Sequence, residues 1–254
     1  MSMLEIRSRD NAQFKELRRL AQENGAYRRQ GRIWVEGEHL CRAALLRGWR
    51  PVQLVVSERG AAAAAALGLD DATPRLLLAD ALWGQLSALG SPAGFGCVLA
   101  LPEPAAPDSM AATVVLDRLQ DAGNVGSILR SAAAFGFGQV LALAGTVALW
   151  SPKVLRAGMG AHFGLRLIES VDEHAVAALQ VPLVATSSHR GQWLHAAAPP
   201  YPCAWLMGHE GQGVSPALEA RAALHIRIAQ PGGEESLNVA AAAAICLHAG
   251  APRP

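Results

Sequence analysis

The sequence predicts an α/β protein: a mostly parallel sheet with helices on both faces, preceded by a smaller α/β domain. Three observations predict it. Apolar runs of strand length alternate with helical patterns along nearly all of the 254 residues, and such alternation calls for a parallel sheet covered on both sides. A stretch with three prolines in six residues, Pro102-Glu103-Pro104-Ala105-Ala106-Pro107, breaks that alternation, because proline continues neither a helix nor a central strand. Polar, glycine-bearing segments follow three of the later apolar runs, where open α/β sheets bind ligands. The chain therefore divides into a domain at 1–101, a linker at 102–112 and a domain at 113–254.

In the first part, 11–25 reads as a helix with Phe14, Leu17 and Leu20 at helical spacing and Gly25 at its end. Residues 32–35 predict a short strand, 37–48 a helix closed by a glycine, and 52–56 a strand of the buried type. A helix follows at 59–68, with six consecutive alanines. Strands at 76–78 and 97–101 flank a helix at 79–88. In the second part, 113–116 is a strand and 124–135 a helix with Ile128, Leu129, Ala132 and Phe135 as its apolar stripe. Residues 139–143 make the next strand. Ser151-Pro152 opens a helix, with serine as cap and proline in the first turn. Strands at 183–185, 204–207 and 224–228 precede a last helix at 236–248.

Composition narrows the class. Half of the residues are apolar, yet no run is long enough to cross a membrane, and the first residues lack an apolar signal region. A cytoplasmic protein is expected. Cys41, Cys97, Cys203 and Cys246 lie far apart without metal-ligand spacing, so reduced, buried thiols are expected, and no metal. Net charge is only +1, but residues 1–60 hold twelve Lys/Arg against seven Asp/Glu. That surplus suits contact with a polyanion; a solvated helix face bearing Arg18, Arg19, Arg28, Arg29 and Arg32 is the alternative.

Three segments carry the chemistry. The first runs from Leu116-Asp117 through Asp121-Ala122-Gly123-Asn124-Val125-Gly126 to Arg130. The second is Met207-Gly208-His209-Glu210-Gly211-Gln212-Gly213. The third is Gly232-Gly233-Glu234-Glu235-Ser236-Leu237-Asn238-Val239. The second is neither a P-loop nor a dinucleotide fingerprint, but its glycines let a ligand approach the main chain. Glu210 either braces the turn or orients a ligand, and His209 reads as exposed. Ser236 reads as an ordinary N-cap, leaving Asn238 in the first turn, where asparagine adds little helix stability. Free N–H groups at that helix start suit an anionic or acceptor-rich ligand. Arg130, among apolar neighbours, is either paired to Asp117 or Asp121 or placed for phosphate.

Taken in order, the three segments resemble the motifs of the SpoU/TrmH branch of the SPOUT RNA methyltransferases, over about 113–250. The stretch from Ser151-Pro152-Lys153 to Gly160-Ala161-His162-Phe163 is similar to that family too. Gly31-Arg32-Ile33-Trp34-Val35-Glu36-Gly37-Glu38-His39-Leu40 resembles the small α/β domain that often precedes it. The resemblance implies a carboxyl-terminal trefoil knot, S-adenosylmethionine as cofactor, and a homodimer with its active site near the subunit interface. It also implies methyl transfer to a ribose 2′-hydroxyl of structured RNA, rRNA or tRNA, which the front domain would recognise. Carried onto matching positions, Asn124 and Arg130 are the catalytic pair, and the backbones of Gly208, Ile228 and Leu237 hold the cofactor. Glu210, Ser236 and Asn238 support the site. The chain departs from the family at His209, usually asparagine, and at Ala229-Gln230, where the third motif usually continues proline-methionine.

The expected mechanism follows from the reaction. A 2′-hydroxyl is a poor nucleophile, and positive charge beside it favours its ionised form. Arg130 would supply that charge, and Asn124 would orient Arg130 or the ribose. Competing readings are a non-catalytic RNA-binding protein that retains the fold, methylation of a base or small molecule, and a nucleotide-dependent enzyme of the doubly wound class.

Overall fold

The computed structural model describes residues 4–69, 72–187, 189–233 and 236–252. The chain forms two compact units: Met1–Glu103 with Trp150–Phe163, and Pro104–Leu149 with Gly164–Pro254.

The first unit contains β1 (Leu4–Ile6), α1 (Ala12–Gln22), α2 (Ala26–Gln30), β2 (Arg32–Glu36), α3 (Glu38–Leu46) and β3 (Pro51–Ser57). It continues with α4 (Ala61–Ala65), β4 (Arg75–Leu78), α5 (Asp80–Leu86) and β5 (Phe95–Ala100). Its sheet order is β1-β4-β3-β5-β2, with β5 antiparallel to both its neighbours. Asn11 caps α1 through its side chain, and Phe14, Leu17 and Leu20 are buried as their spacing predicts. The alanine run gives a shorter helix than expected: α4 covers only Ala61–Ala65, with no side-chain cap at Gly60.

One segment from the middle of the chain belongs to this unit. The sequence division placed 150–163 in the second domain; it packs instead with the first. Aromatic packing is the reason. The Trp49 ring lies 5.7 Å from Trp150 and 5.3 Å, edge-on, from Phe163, and Trp49 Nε1 donates to the Phe163 carbonyl. Such ring pairs contribute beyond their buried area. Between them runs α7 (Pro152–Gly158), capped by Ser151.

The second unit contains β6 (Thr113–Asp117), α6 (Ala122–Ala134), β7 (Gln139–Leu143), β8 (Arg166–Val171), α8 (Glu173–Ala177) and β9 (Leu183–Thr186). After these come β10 (Gln192–Trp193), β11 (Ala204–Gly208), α9 (Pro216–Glu219), β12 (Leu224–Arg227) and α10 (Val239–Ala249). Its seven strands run in the order β10-β12-β9-β11-β6-β7-β8, and every pairing is parallel. Strand β8, with four of its six residues only partly buried, and the two-residue β10 carry too little apolar signal to be read from sequence.

Alternation along the strands separates two faces. Val115, Leu141, Leu183, Ala204 and Leu206 pack with Val176 of α8 and Leu218 of α9. On the other face, a Cβ at Gly250, the C-cap of α10, would stand 2.9 Å from Trp205 Nε1, so that helix end closes on β11. The chain runs from β6 outward to β7 and β8, then returns to build β9, β11 and β12 on the opposite side. Gly208 of β11 is in register with Asp117 of β6, so the first two motifs leave the sheet side by side where the strand order reverses.

All four cysteines are buried and unbonded. Burial pushes the Cys203 and Cys246 thiols to about 12, far from a reactive thiolate. No helix among the described residues is long and apolar enough to cross a membrane.

Candidate active site

A cavity of about 710 Å³ opens at the carboxyl ends of β9, β11 and β12, within the range of small-molecule sites. Gly208, Glu210, Ile228, Ser236, Leu237 and Asn238 all line it. Asn124 contacts two of these, and Arg130 stands apart. Glu234 and Glu235, quoted in the third motif, lie outside the described residues.

The second motif is a tight loop closed by paired hydrogen bonds, His209 N to Gly213 O at 3.0 Å and Gly213 N to His209 O at 2.8 Å. Gly213 has φ +70°, open to glycine at little cost. A Cβ at Gly208 would sit 2.1 Å from both Gly213 C and Val214 N. Only glycine lets the loop fold back on its own strand. His209 is half-buried rather than exposed, because its Nδ1 accepts from Gly211 N at 3.0 Å.

Glu210 joins this loop to the first motif. Its carboxylate accepts from Gln120 N, Asp121 N and Asn124 Nδ2, each at 3.2 Å. Desolvation would raise its pKa, but hydrogen bonds from its own N–H, Asn124, Asp121 and Gln120 outweigh that and hold it below the ordinary carboxylate value.

The third motif corrects two sequence expectations. The last helix starts at Val239, not Ser236, and its N-cap is Asn238, whose Oδ1 accepts from Ala240 N and Ala241 N. Ser236 is exposed outside the helix. Serine and asparagine cap equally well; tertiary contact decides, because Asn238 Nδ2 also donates to Asn124 Oδ1 at 2.9 Å.

The expected partners of Arg130 are otherwise engaged. Asp117 is fully buried and accepts from Arg118 Nε at 2.8 Å and from Ser215 N at 2.6 Å. Asp121 caps α6 through Asn124 N. Arg130 is exposed and has no ion pair among the described residues. It lies about 9 Å along α6 from Asn124 and roughly 120° around the axis.

Sequence reading missed several residues here. Arg118, at φ +62°, spans from Asp117 to Gln212 Oε1. Gln120 and Asp121 contribute backbone donors, a signal no side-chain pattern carries. Thr186 and Ser187 of the β9 end line the cavity, although short polar residues after a strand mark that position.

An all-parallel sheet with a glycine-walled cavity at the carboxyl ends of its strands defines the class: an α/β protein that binds a small ligand there. The model of the SpoU rRNA Methylase family matches residues 111–248, and the chain belongs to that family. It is 30% identical to an uncharacterized tRNA/rRNA methyltransferase of Synechocystis sp., over 96% of this chain and 92% of that one. It is 26% identical to the 23S rRNA (guanosine(2553)-2'-O)-methyltransferase RlmP of Bacillus subtilis, over 97% and 98% of the two chains. The crystal structure of an AdoMet-bound rRNA methyltransferase from Sinorhizobium meliloti superposes with a TM-score of 0.83 at 26% identity, covering 97% of each chain.

Proposed function

We propose that this protein binds S-adenosylmethionine in the cavity at its strand ends and methylates a ribose 2′-hydroxyl of structured RNA, with Arg130 and Asn124 as the catalytic pair. The carrying observation is the hydrogen-bonded run Glu210–Asn124–Asn238, which ties the three motifs together at the cavity wall. The cavity suits the cofactor in size, and its wall offers it a buried amide oxygen, Gln230 Oε1, that has no partner among the described residues. Gly208, Ile228 and Leu237 present backbone and apolar surface to it. Leu237 is 39% exposed, an apolar side chain left open at the wall.

The bound cofactor supplies a methyl group already activated on sulfonium. The chain's own residues do the rest. Glu210 and Asn238 hold the Asn124 amide in one orientation, so its position is set before RNA arrives. Arg130 favours the ionised form of the 2′-hydroxyl by its charge and grips the neighbouring phosphate with its fork. It does not take the proton, since guanidinium does not lose its own; the proton leaves to solvent, and the S–C bond breaks with S-adenosylhomocysteine as leaving group.

The reading extends to a carboxyl-terminal trefoil knot and a homodimer. Helix α10 is apolar almost all round, and such a helix is normally covered. Ile245 is 42% exposed and, with Ala244 and His248, borders an open apolar depression shared with Phe135 and Leu194. The angular offset of Arg130 from Asn124 favours a site completed near the subunit interface. The first unit is the RNA-recognition domain, its support being Arg18, Arg19, Arg28 and Arg32, all exposed. A cytoplasmic location fits an RNA substrate.

The test is methylation of RNA with a labelled donor by Arg130→Ala and Arg130→Lys. Arg130→Ala should lose about a hundredfold or more, the scale of one transition-state charge contact. Arg130→Lys keeps charge but loses the fork and should lose at least about tenfold. The labelled linkage should resist alkali. Near-full activity in a folded Arg130→Lys protein would overturn the assignment of Arg130, and label on a base would overturn the ribose.

A further inference from the structure

Most polar groups on the cavity wall already have partners. Glu210 accepts from the first motif, and Asn238 caps α10 and bridges to Asn124. His209 accepts from Gly211 N, Ser187 Oγ from His189 N, and Arg190 pairs with Glu219.

Gln230 is different. Its Oε1 is buried and has no hydrogen-bond partner among the described residues, yet the residue lines the cavity. The other such buried atoms of the second unit, on Trp205, Ser215, His225 and Arg227, belong to residues that do not line it. The residue is held in place by a turn in which Gly233 N donates to Gln230 O at 3.2 Å, with Gly233 at φ +81°. A buried carbonyl oxygen left unpaired forfeits its hydration, and such groups nearly always find a donor. The cavity is the open volume that Gln230 lines.

We infer that Gln230 Oε1 accepts a hydrogen bond from a donor group of the bound cofactor, making Gln230 a specificity-determining residue of the cofactor site. The inference rests on the cavity being the cofactor's. The cofactor carries three kinds of donor: the adenine 6-amino group, the ribose hydroxyls and the α-ammonium. Its sulfonium carries none. Gln230 therefore reads the part of the molecule that does not react, and it contributes to affinity for product as much as for donor.

The test is calorimetric titration of the full chain with S-adenosylhomocysteine, which requires no turnover. Gln230→Met removes the acceptor and keeps the bulk; it should bind about tenfold more weakly, the worth of one buried hydrogen bond. Gln230→Glu keeps an acceptor oxygen and should stay within about threefold of the parent. Three analogues locate the donor: S-inosylhomocysteine, which replaces the 6-amino group, a ribose-deoxy analogue and a des-amino analogue. On the analogue lacking the matched donor, Gln230→Met and the parent should bind alike. Parent-like affinity in Gln230→Met, an equal loss in Gln230→Glu, or a loss that persists on all three analogues would overturn the inference. A parent protein that binds no S-adenosylhomocysteine would overturn the cavity assignment itself.

Discussion

Asn238 Nδ2 donates to Asn124 Oδ1 at 2.9 Å, across 114 positions of sequence. The polarity of that bond is dictated from both ends. Glu210 can only accept, so Asn124 must turn its NH₂ toward it and its oxygen toward Asn238. The backbone N–H groups of α10 can only donate, so Asn238 must turn its oxygen to them and its NH₂ to Asn124. Neither amide can flip without opposing two acceptors or two donors.

Two substitutions separate the cap from the bridge. Asn238→Asp keeps an acceptor for α10 but removes the donor to Asn124. It should retain most of the thermal stability and lose about tenfold or more in methylation. Asn238→Ala loses both, and thermal unfolding should show about 1 kcal/mol of added destabilisation, the usual worth of an N-cap. Parent-like activity in Asn238→Asp would show that the bridge has no separate role.

Gly208→Ala should disrupt the second motif. Its Cβ meets backbone atoms at 2.1 Å, which cannot rotate aside as a side-chain tip would. The loop must shift, at roughly 1–3 kcal/mol for such overpacking. Cofactor titration should show no measurable binding while circular dichroism stays near that of the parent.

Asp117→Asn tests the junction of β6 with the loop after β11. The buried carboxylate accepts from Arg118 and Ser215 N; an amide accepts through one oxygen only. Urea unfolding should report a loss of about 1.5–3 kcal/mol, the range for a hydrogen bond to a charged group.

Acid should release Glu210. Its folded pKa lies below the ordinary carboxylate value, so the folded state binds this proton less readily than the unfolded chain. Its stabilisation is therefore fully present above the ordinary carboxylate range and is lost as pH falls through the lower folded value. Amide exchange at Gln120 and Asp121 should accelerate across that interval in the parent. In Glu210→Gln the same amides should show no such pH step.

Much of this was written in the order of residues. Strand β7 occupies the apolar run 139–143, and Phe14, Leu17 and Leu20 bury as spaced. Gly208, Glu210, Ile228, Ser236, Leu237 and Asn238, named from their motifs, all lie on one cavity wall. Such features depend on periodicity or on short-range order, and a single sequence displays both.

Other features have no local signal. Residues 150–163 pack with the first unit because Trp49, about a hundred residues earlier, offers them a ring and an N–H. Asn238 rather than Ser236 caps α10, although their intrinsic preferences are equal, because Asn238 gains a second partner in Asn124. Gln230 stands out in sequence only as a departure from the third motif; the fold alone shows its oxygen buried and unpaired beside the cavity. By itself the sequence determined most of the elements, though not β8 or β10, and the motifs with the class of ligand they suit. Tertiary structure alone decided which polar atoms find partners, because pairing depends on distances between residues far apart along the chain.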